Sequence, residues 1–111
     1  MMAIYYDNDA SHLPANEGAV PVERVYCLRL SEFDPAQWER LQRLYESLPG
    51  WAGTGQHGCP CWFGTTEHPP FLVASVEPSG LQVTGSLPSA DWSQWHNAFL
   101  DGLPGFPLFE V

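Results

Sequence analysis

The densest group of chemically competent side chains lies in one short segment, HGCPCWFG, which begins at His57 and is followed soon after by His68. His57, Cys59, Cys61 and His68 are all residue types that bind zinc. Zinc-binding cysteine pairs usually have two to four residues between them, whereas a single proline separates Cys59 from Cys61. We therefore expect ordinary thiols in the core or at the surface, with a metal site as the less favoured alternative and no cofactor.

The same two thiols are candidates for nucleophilic catalysis if a histidine lies within hydrogen-bond distance. Thiolates are favoured by positive neighbours or a helix N-terminus, but the chain has no Lys or Arg after Arg43. A catalytic carboxylate pair is not indicated either, because the acids of this region are scattered singly at turns and helix ends. The sequence leaves enzymatic activity undecided and favours a protein that is not an enzyme.

The balance of charge excludes several classes of function. The chain has four arginines, no lysine and 13 acids, which gives a formal net charge of −9. Nucleic-acid binding and a polybasic membrane anchor both need clustered cations, and Schiff-base or P-loop chemistry needs a lysine. The charge favours a basic protein as the partner, since opposite charge speeds encounter; solubility alone is the alternative explanation.

Four of the five tryptophans follow Arg43, in the part of the chain that lacks cations. Two short helices need fewer indoles than this for packing, and Trp is enriched at binding hot spots. Core packing is the alternative for each of them. The candidate interaction residues are therefore the acids and indoles Trp51, Trp62, Glu67, Glu77, Asp91, Trp92 and Trp95.

A first helix has a clear start at Asp34. Asp34 is a good N-cap, Pro35 suits the first helical position, and Gln37 completes a capping-box spacing. Phe33 and Trp38 have the spacing of a hydrophobic staple. One apolar face follows, and Pro49 with Gly50 ends the helix. Its members are Trp38, Leu41, Leu44, Tyr45 and Leu48.

Alternation and turn signals predict strands on both sides of this helix. The predicted strands are a short one within 3–6, and longer ones over 22–30, 59–65, 71–77, 81–87 and 106–111. The turn sequence EPSG predicts that 71–77 and 81–87 form a hairpin, with Leu81, Val83 and Leu87 inward and Gln82, Thr84 and Ser86 outward. Pro107 places the last strand at an edge.

A second helix is predicted from Ser89 to Leu103. Ser89 is a suitable N-cap, and Asp91 lies in the first turn, where the helix dipole favours an acid. One face carries Trp92, Trp95, His96, Phe99 and Leu103. We expect His96 to be partly buried with one hydrogen bond, and to be a pH-sensitive position.

These elements predict an α+β protein with the order β-α-β-β-β-α-β. Two helices pack on one face of a mainly antiparallel sheet of about five strands. A ferredoxin-like split arrangement with an inserted strand is one alternative for this order. We expect a polar, mobile N-terminal arm over 1–21 and a single domain over 22–111.

The leading functional hypothesis is a non-enzymatic interaction module that binds a basic protein partner. Its size and charge are similar to those of immunity proteins, the small acidic inhibitors of secreted toxins. Two alternatives stay open: a small metal- or ligand-binding domain or enzyme with its site between His57 and His68, and a homo-oligomer subunit with a Trp-rich self-interface. We expect a cytoplasmic location, because neither a signal peptide nor an apolar run of about 20 residues is present.

Overall fold

The computed structural model describes residues 3–11, 13, 18–55 and 58–111. Within these residues the chain forms an α+β fold in which two helices pack against a six-stranded antiparallel sheet. A short 3-10 turn, Leu30–Glu32, precedes the first helix. The elements in chain order are β1 Tyr5–Asp7, β2 Val20–Tyr26, α1 Pro35–Ser47, β3 Trp51–Thr54, β4 Pro60–Trp62, β5 Phe71–Glu77, β6 Gly80–Leu87 and α2 Ser89–Gly102.

The strand order across the sheet is β1-β2-β6-β5-β4-β3. Strands β3 to β6 therefore follow one another as neighbours, and β2 then pairs with β6, with Val20 opposite Leu87 and Tyr26 opposite Leu81. Every pair in this order is antiparallel. A split β-α-β unit contains parallel strands, so the ferredoxin-like alternative does not describe this sheet.

Helix α1 begins as its sequence predicts. The Asp34 carboxylate accepts a hydrogen bond from the Gln37 amide at 2.8 Å, and the Gln37 side chain accepts one from the Asp34 amide at 3.0 Å. The rings of Phe33 and Trp38 lie 5.0 Å apart, as a hydrophobic staple requires. These contacts fix the first residue of α1.

The predicted hairpin of β5 and β6 is present, with β5 at its predicted bounds and β6 beginning at Gly80, one residue before the predicted start. Phe71 pairs with Ser86 and Glu77 with Gly80 across the two strands. Leu81 and the other inward residues of β6 are fully buried, as predicted. Ser86 points to the other face, but it is buried too, so its predicted exposure is wrong. Its register partner Phe71 is nearly fully buried on the same face, so this end of that face is covered.

A single apolar core lies between the sheet and the helices. Its largest members are Trp62 and Trp95, both 0 % exposed, and the rings of these two indoles lie 5.0 Å apart. Helix α1 contributes Leu41 and Tyr45, and the Trp62 indole donates a hydrogen bond to the Tyr45 carbonyl at 3.0 Å. The core thus joins α1, α2 and the middle strands into one unit.

Other predicted boundaries differ from the structure at short or irregular elements. The sequence prediction treats Trp51–Thr54 as loop, but these residues form the edge strand β3. The predicted last strand over 106–111 forms one bridge, between Leu28 and Leu108, and exchanges two backbone hydrogen bonds between Val111 and Ala3. Helix α2 starts at Ser89 itself, and its N-cap is Pro88 without a side-chain hydrogen bond.

The predicted N-terminal arm includes the strand β1, which pairs with β2 through Tyr5 opposite Tyr26. Residues 1–2, 12 and 14–17 of the arm lie outside the described residues, and the mobility of the arm stays a prediction. Neither helix that the structure describes combines the length and apolar character needed to cross a membrane.

Candidate functional site

The two faces of the sheet have different surroundings. Side chains of β2 alternate between them, so Arg24 and Tyr26 face α2, whereas Glu23 and Val25 face the other way. We call this second side the helix-free face. Helices α1 and α2 both pack on the opposite side. The helix-free face is open only in part, because Val25, Phe71 and Ser86 on it are buried.

Two carboxylates on the helix-free face are held in position by neutral side chains. Glu23 accepts a hydrogen bond from the Gln82 amide at 2.9 Å, and Glu77 accepts one from the Ser75 hydroxyl at 2.8 Å. Ser75 and Gln82 are register partners, so the two hydrogen-bonded pairs lie on neighbouring positions of the same face. Each carboxylate is oriented while its negative charge is not cancelled by its partner.

A groove of about 450 Å³ lies on the helix-free face of β4 and β5, with Ser75 among its lining residues. Phe71 and Val73 provide apolar lining, and the loop 64–67 adds the Glu67 carboxylate and the Thr65 and Thr66 hydroxyls. We call it the β4–β5 groove. No lysine or arginine is among its described lining residues, so its polarity is acidic.

The predicted cysteines lie in this groove. Cys59 and Cys61 both line it, and the Cys61 thiol donates a hydrogen bond to the Cys59 carbonyl at 3.4 Å. Burial raises the pKa of the Cys61 thiol, which disfavours the thiolate needed for attack or metal binding. His68 is exposed, and His57 lies outside the described residues. Among the residues that the structure places, no three His, Cys, Asp or Glu side chains form a group that could hold a metal ion.

The predicted interaction tryptophans lie on the helix side of the sheet. Trp62 and Trp95 are wholly buried and serve the core, so neither is a surface anchor. Trp51 and Trp92 are half-buried at the two ends of a row of four indoles, with ring centroids 5.7, 5.0 and 5.8 Å apart along the row. Asp91 lies in the first turn of α2, next to Trp92.

The structure therefore brings together only part of the predicted site. Glu67 and Glu77 lie on the helix-free face, whereas the four indoles and Asp91 belong to the helix side. Sequence spacing along each element cannot show which face a residue joins when the strands are connected by irregular loops. Glu23 is not among the predicted site residues. Its alternation with Arg24 along β2 is the sequence pattern that places it on the face opposite Arg24.

A cluster that the sequence analysis did not assemble lies between β1, β2 and α2. The guanidinium of Arg24 contacts both carboxylate oxygens of Asp7, at 2.6 and 2.9 Å, and its Nη1 donates to Nδ1 of His96 at 3.1 Å. The Tyr26 hydroxyl lies 2.8 Å from the same Nδ1. Because Arg24 can only donate, Nδ1 is an acceptor, and the neutral imidazole carries its proton on Nε2.

Burial and charge keep His96 neutral in this cluster. Burial lowers the pKa of His96, and the positive charge of Arg24 lowers it further, against a smaller opposing effect of Asp7. Burial raises the pKa of Tyr26, so its hydroxyl keeps the proton that it donates. The Arg24 guanidinium also lies over the ring of Trp92, 5.0 Å from its centroid. These contacts join β1 and β2 to the N-terminal half of α2.

All four arginines have partners away from Glu23 and Glu67. They are engaged by carboxylates or backbone carbonyls, as follows: Arg24 by Asp7, Arg29 by Glu32 and the Leu108 carbonyl, Arg40 by the Pro104 carbonyl, and Arg43 by Glu39. Arg29 is the one that approaches the helix-free face, since it lines with Glu77 a second groove of about 510 Å³ at the hairpin end. The β4–β5 groove, by contrast, has Glu67 and no arginine among its described lining residues.

No protein-family model matches this chain, and neither a curated protein nor a solved structure is significantly similar to it. The site must therefore be interpreted from its own residues.

Proposed function

We propose that this protein is a non-enzymatic interaction module that binds a basic protein partner through its helix-free face. The observation that carries the proposal is the pair of carboxylates, Glu23 and Glu77, each held by a neutral hydrogen-bond donor. A carboxylate that is already oriented loses less side-chain freedom when a cation binds it. Its uncancelled charge also attracts a basic surface and speeds encounter.

The charge of the whole chain supports the same proposal. A net charge of −9 raises the rate of association with a cationic protein, and the effect weakens as salt is added. Inhibition of a basic toxin, the role of immunity proteins, is the instance of this class that size and charge favour. A cytoplasmic location belongs to this proposal, supported by the presence of Cys27, Cys59 and Cys61 as thiols.

A small-ligand-binding protein is the second candidate. The β4–β5 groove favours it, because a volume of about 450 Å³ lies within the range of roughly 300–1,000 Å³ that is common for ligand pockets. A Trp-rich self-interface is less favoured, because Trp62 and Trp95 are used in the core of the protomer itself. Light scattering on the purified protein tests that alternative. A molar mass equal to that of one chain would exclude the self-interface.

The test of the leading proposal is affinity capture from the native host with three immobilised proteins. These are the wild type, the double variant Glu23→Gln/Glu77→Gln, and the control Asp101→Asn. Glutamine keeps a hydrogen-bond acceptor for Gln82 and Ser75, so the double variant removes charge with little change in structure. Asp101 is exposed in α2, on the opposite side of the sheet, so the control removes a charge from the wrong face.

We expect the wild type and Asp101→Asn to retain a protein of positive net charge at about 50 mM salt and to lose much of it at about 300 mM. The double variant should retain much less of the same protein at low salt. Equal capture by all three proteins, or a partner whose retention does not depend on salt, would contradict the proposal.

A further inference from the structure

The β4–β5 groove combines an apolar lining with one charged wall. Phe71 is almost fully buried and Val73 is half-buried, and both belong to β5. The loop 64–67 also lines the groove, and its last residue, Glu67, is exposed. A side chain that lies along the groove can therefore contact hydrocarbon of β5 and the exposed Glu67 carboxylate at the rim.

The backbone around Gly55 brings that loop close to β4. A Cβ at Gly55 would lie 2.6 Å from the Cys61 sulfur and 3.2 Å from the Thr65 carbonyl oxygen. Only a residue without a side chain lets the loop approach β4 so closely. The groove is thus a built feature of the fold rather than a gap between loosely placed segments.

The groove chemistry selects among classes of ligand. Its described lining has no cation, so an anionic ligand gains no ion pair there. The Thr65 and Thr66 hydroxyls can accept hydrogen bonds beside the Glu67 carboxylate. A long cationic side chain matches this arrangement, because its alkyl stem is apolar and its end carries donors and positive charge.

We propose that the β4–β5 groove binds a single arginine side chain of the basic partner, an inference that rests on the proposed function. The methylene stem lies along Phe71 and Val73, and the guanidinium reaches Glu67. Arginine fits better than lysine, because its planar fork presents several donors to a carboxylate and neighbouring hydroxyls at once. A lysine ammonium is also more strongly hydrated, so its transfer into the groove costs more free energy.

The test uses small probes in place of the partner. The amide signals of the isotope-labelled protein are followed by NMR while N-butylguanidinium, butylammonium or the neutral N-butylurea is added. We expect shifts confined to the amides of 64–67 and 73–75, larger for the guanidinium than for the ammonium at equal concentration. Butylurea has the same stem without the charge, so it should produce little change.

The matched variants are Glu67→Gln and the control Asp101→Asn. Glu67 is exposed, so its replacement leaves the fold intact. We expect Glu67→Gln to weaken guanidinium binding by about fivefold, the size of one partly exposed ion pair, and Asp101→Asn to leave it unchanged. Absent or scattered shifts, an equal response to butylurea, or unchanged binding by Glu67→Gln would overturn the inference.

These outcomes are separable from those of the capture experiment. If a basic partner is captured through Glu23 and Glu77 but Glu67→Gln captures it equally well, the groove proposal fails and the proposed function stands. If guanidinium binds in the groove but no basic partner is captured, the proposed function fails, and with it the assignment of the groove to a partner's arginine.

Discussion

Replacement of His96 by phenylalanine tests the cluster that joins the N-terminal strands to α2. Phenylalanine keeps an aromatic ring against Tyr5, whose ring lies 4.8 Å from that of His96, but it removes the nitrogen that accepts from Tyr26 and Arg24. The buried Tyr26 hydroxyl then loses the acceptor for its hydrogen bond. A buried donor left without a partner costs about 1–3 kcal/mol, and we expect a loss of stability of this size at pH 8.

A double-mutant cycle separates the hydrogen bond from packing. Tyr26→Phe alone removes the donor and should cost about 0.5–1.5 kcal/mol, the usual net value of one hydrogen bond. The double variant Tyr26→Phe/His96→Phe has neither donor nor acceptor, so it should lose less than the sum of the two single losses. We expect a coupling of at least about 0.5 kcal/mol, above the scatter of independent sites.

The pH dependence gives a second readout with a definite sign. Because the folded state lowers the pKa of His96, the unfolded chain binds more protons between the two pKa values. The stabilising contribution of neutral His96 is therefore complete above the unfolded value near 6.5 and is lost as pH falls through the folded value. Tyr5 and Asp7 of β1, Arg24 and Tyr26 of β2, and Trp92 of α2 surround the ring.

The assay is urea unfolding of the four proteins, followed by circular dichroism at pH 8 and at about pH 5.5. Most carboxylates titrate lower than this interval, so the loss of wild-type stability across it should exceed that of His96→Phe. The reasoning is refuted if the two single losses add without coupling, or if His96→Phe keeps the wild-type pH dependence.

Other substitutions test the caps, the core and the groove by the same urea assay. Asp34→Ala should destabilise the protein by about 1 kcal/mol through loss of the capping box, and a neutral effect would contradict the cap assignment. Trp62→Phe should cost about 1 kcal/mol more stability than Trp95→Phe. The Trp62 indole donates to a backbone carbonyl of α1, whereas the buried N–H of Trp95 has no described partner. Equal losses of stability would count against this assignment. Gly55→Ala should cost about 1–3 kcal/mol and shift groove amide signals, because the new Cβ meets the Cys61 sulfur, and a silent substitution would show that the loop approach is not tight.

The elements with strong local signals were predictable from the sequence. Asp34, Pro35 and Gln37 specify the start of α1 within four residues, and the EPSG turn specifies the β5–β6 hairpin. Both signals depend on backbone conformations that a few adjacent residues determine. Their bounds in the structure agree with the prediction to within one residue for this reason.

Elements that depend on distant partners were not predictable in the same way. Strand β3 is only four residues long and has two small residues in its centre, so its sequence shows no clear alternation of apolar and polar side chains. The segment 106–111 has the composition of a strand, but it forms an isolated bridge at Leu108 and separate backbone hydrogen bonds to Ala3 in place of a continuous ladder. In both segments, strand formation depends on pairing with residues distant in sequence, which no local sequence pattern can predict.

In the candidate site, too, local features were predictable from the sequence and contacts between distant residues were not. The partly buried state of His96 followed from its place on an aromatic helix face, and the structure confirms it. Its partners could not be inferred, because Arg24 is 72 residues away in sequence and Asp7 is a further 17 residues from Arg24. The oriented pairs of the helix-free face likewise need the sheet register, which brings Glu23 to Gln82 across β2 and β6.

The central claim is that oriented carboxylates of the helix-free face bind a basic protein. Its most direct measurement is calorimetric titration of the captured partner into the wild type, Glu23→Gln/Glu77→Gln and Asp101→Asn at about 50 and 200 mM salt. The account predicts that the double variant binds about tenfold more weakly at low salt and depends less on salt, while Asp101→Asn behaves as the wild type. Equal affinities for all three proteins at both salt concentrations would contradict it.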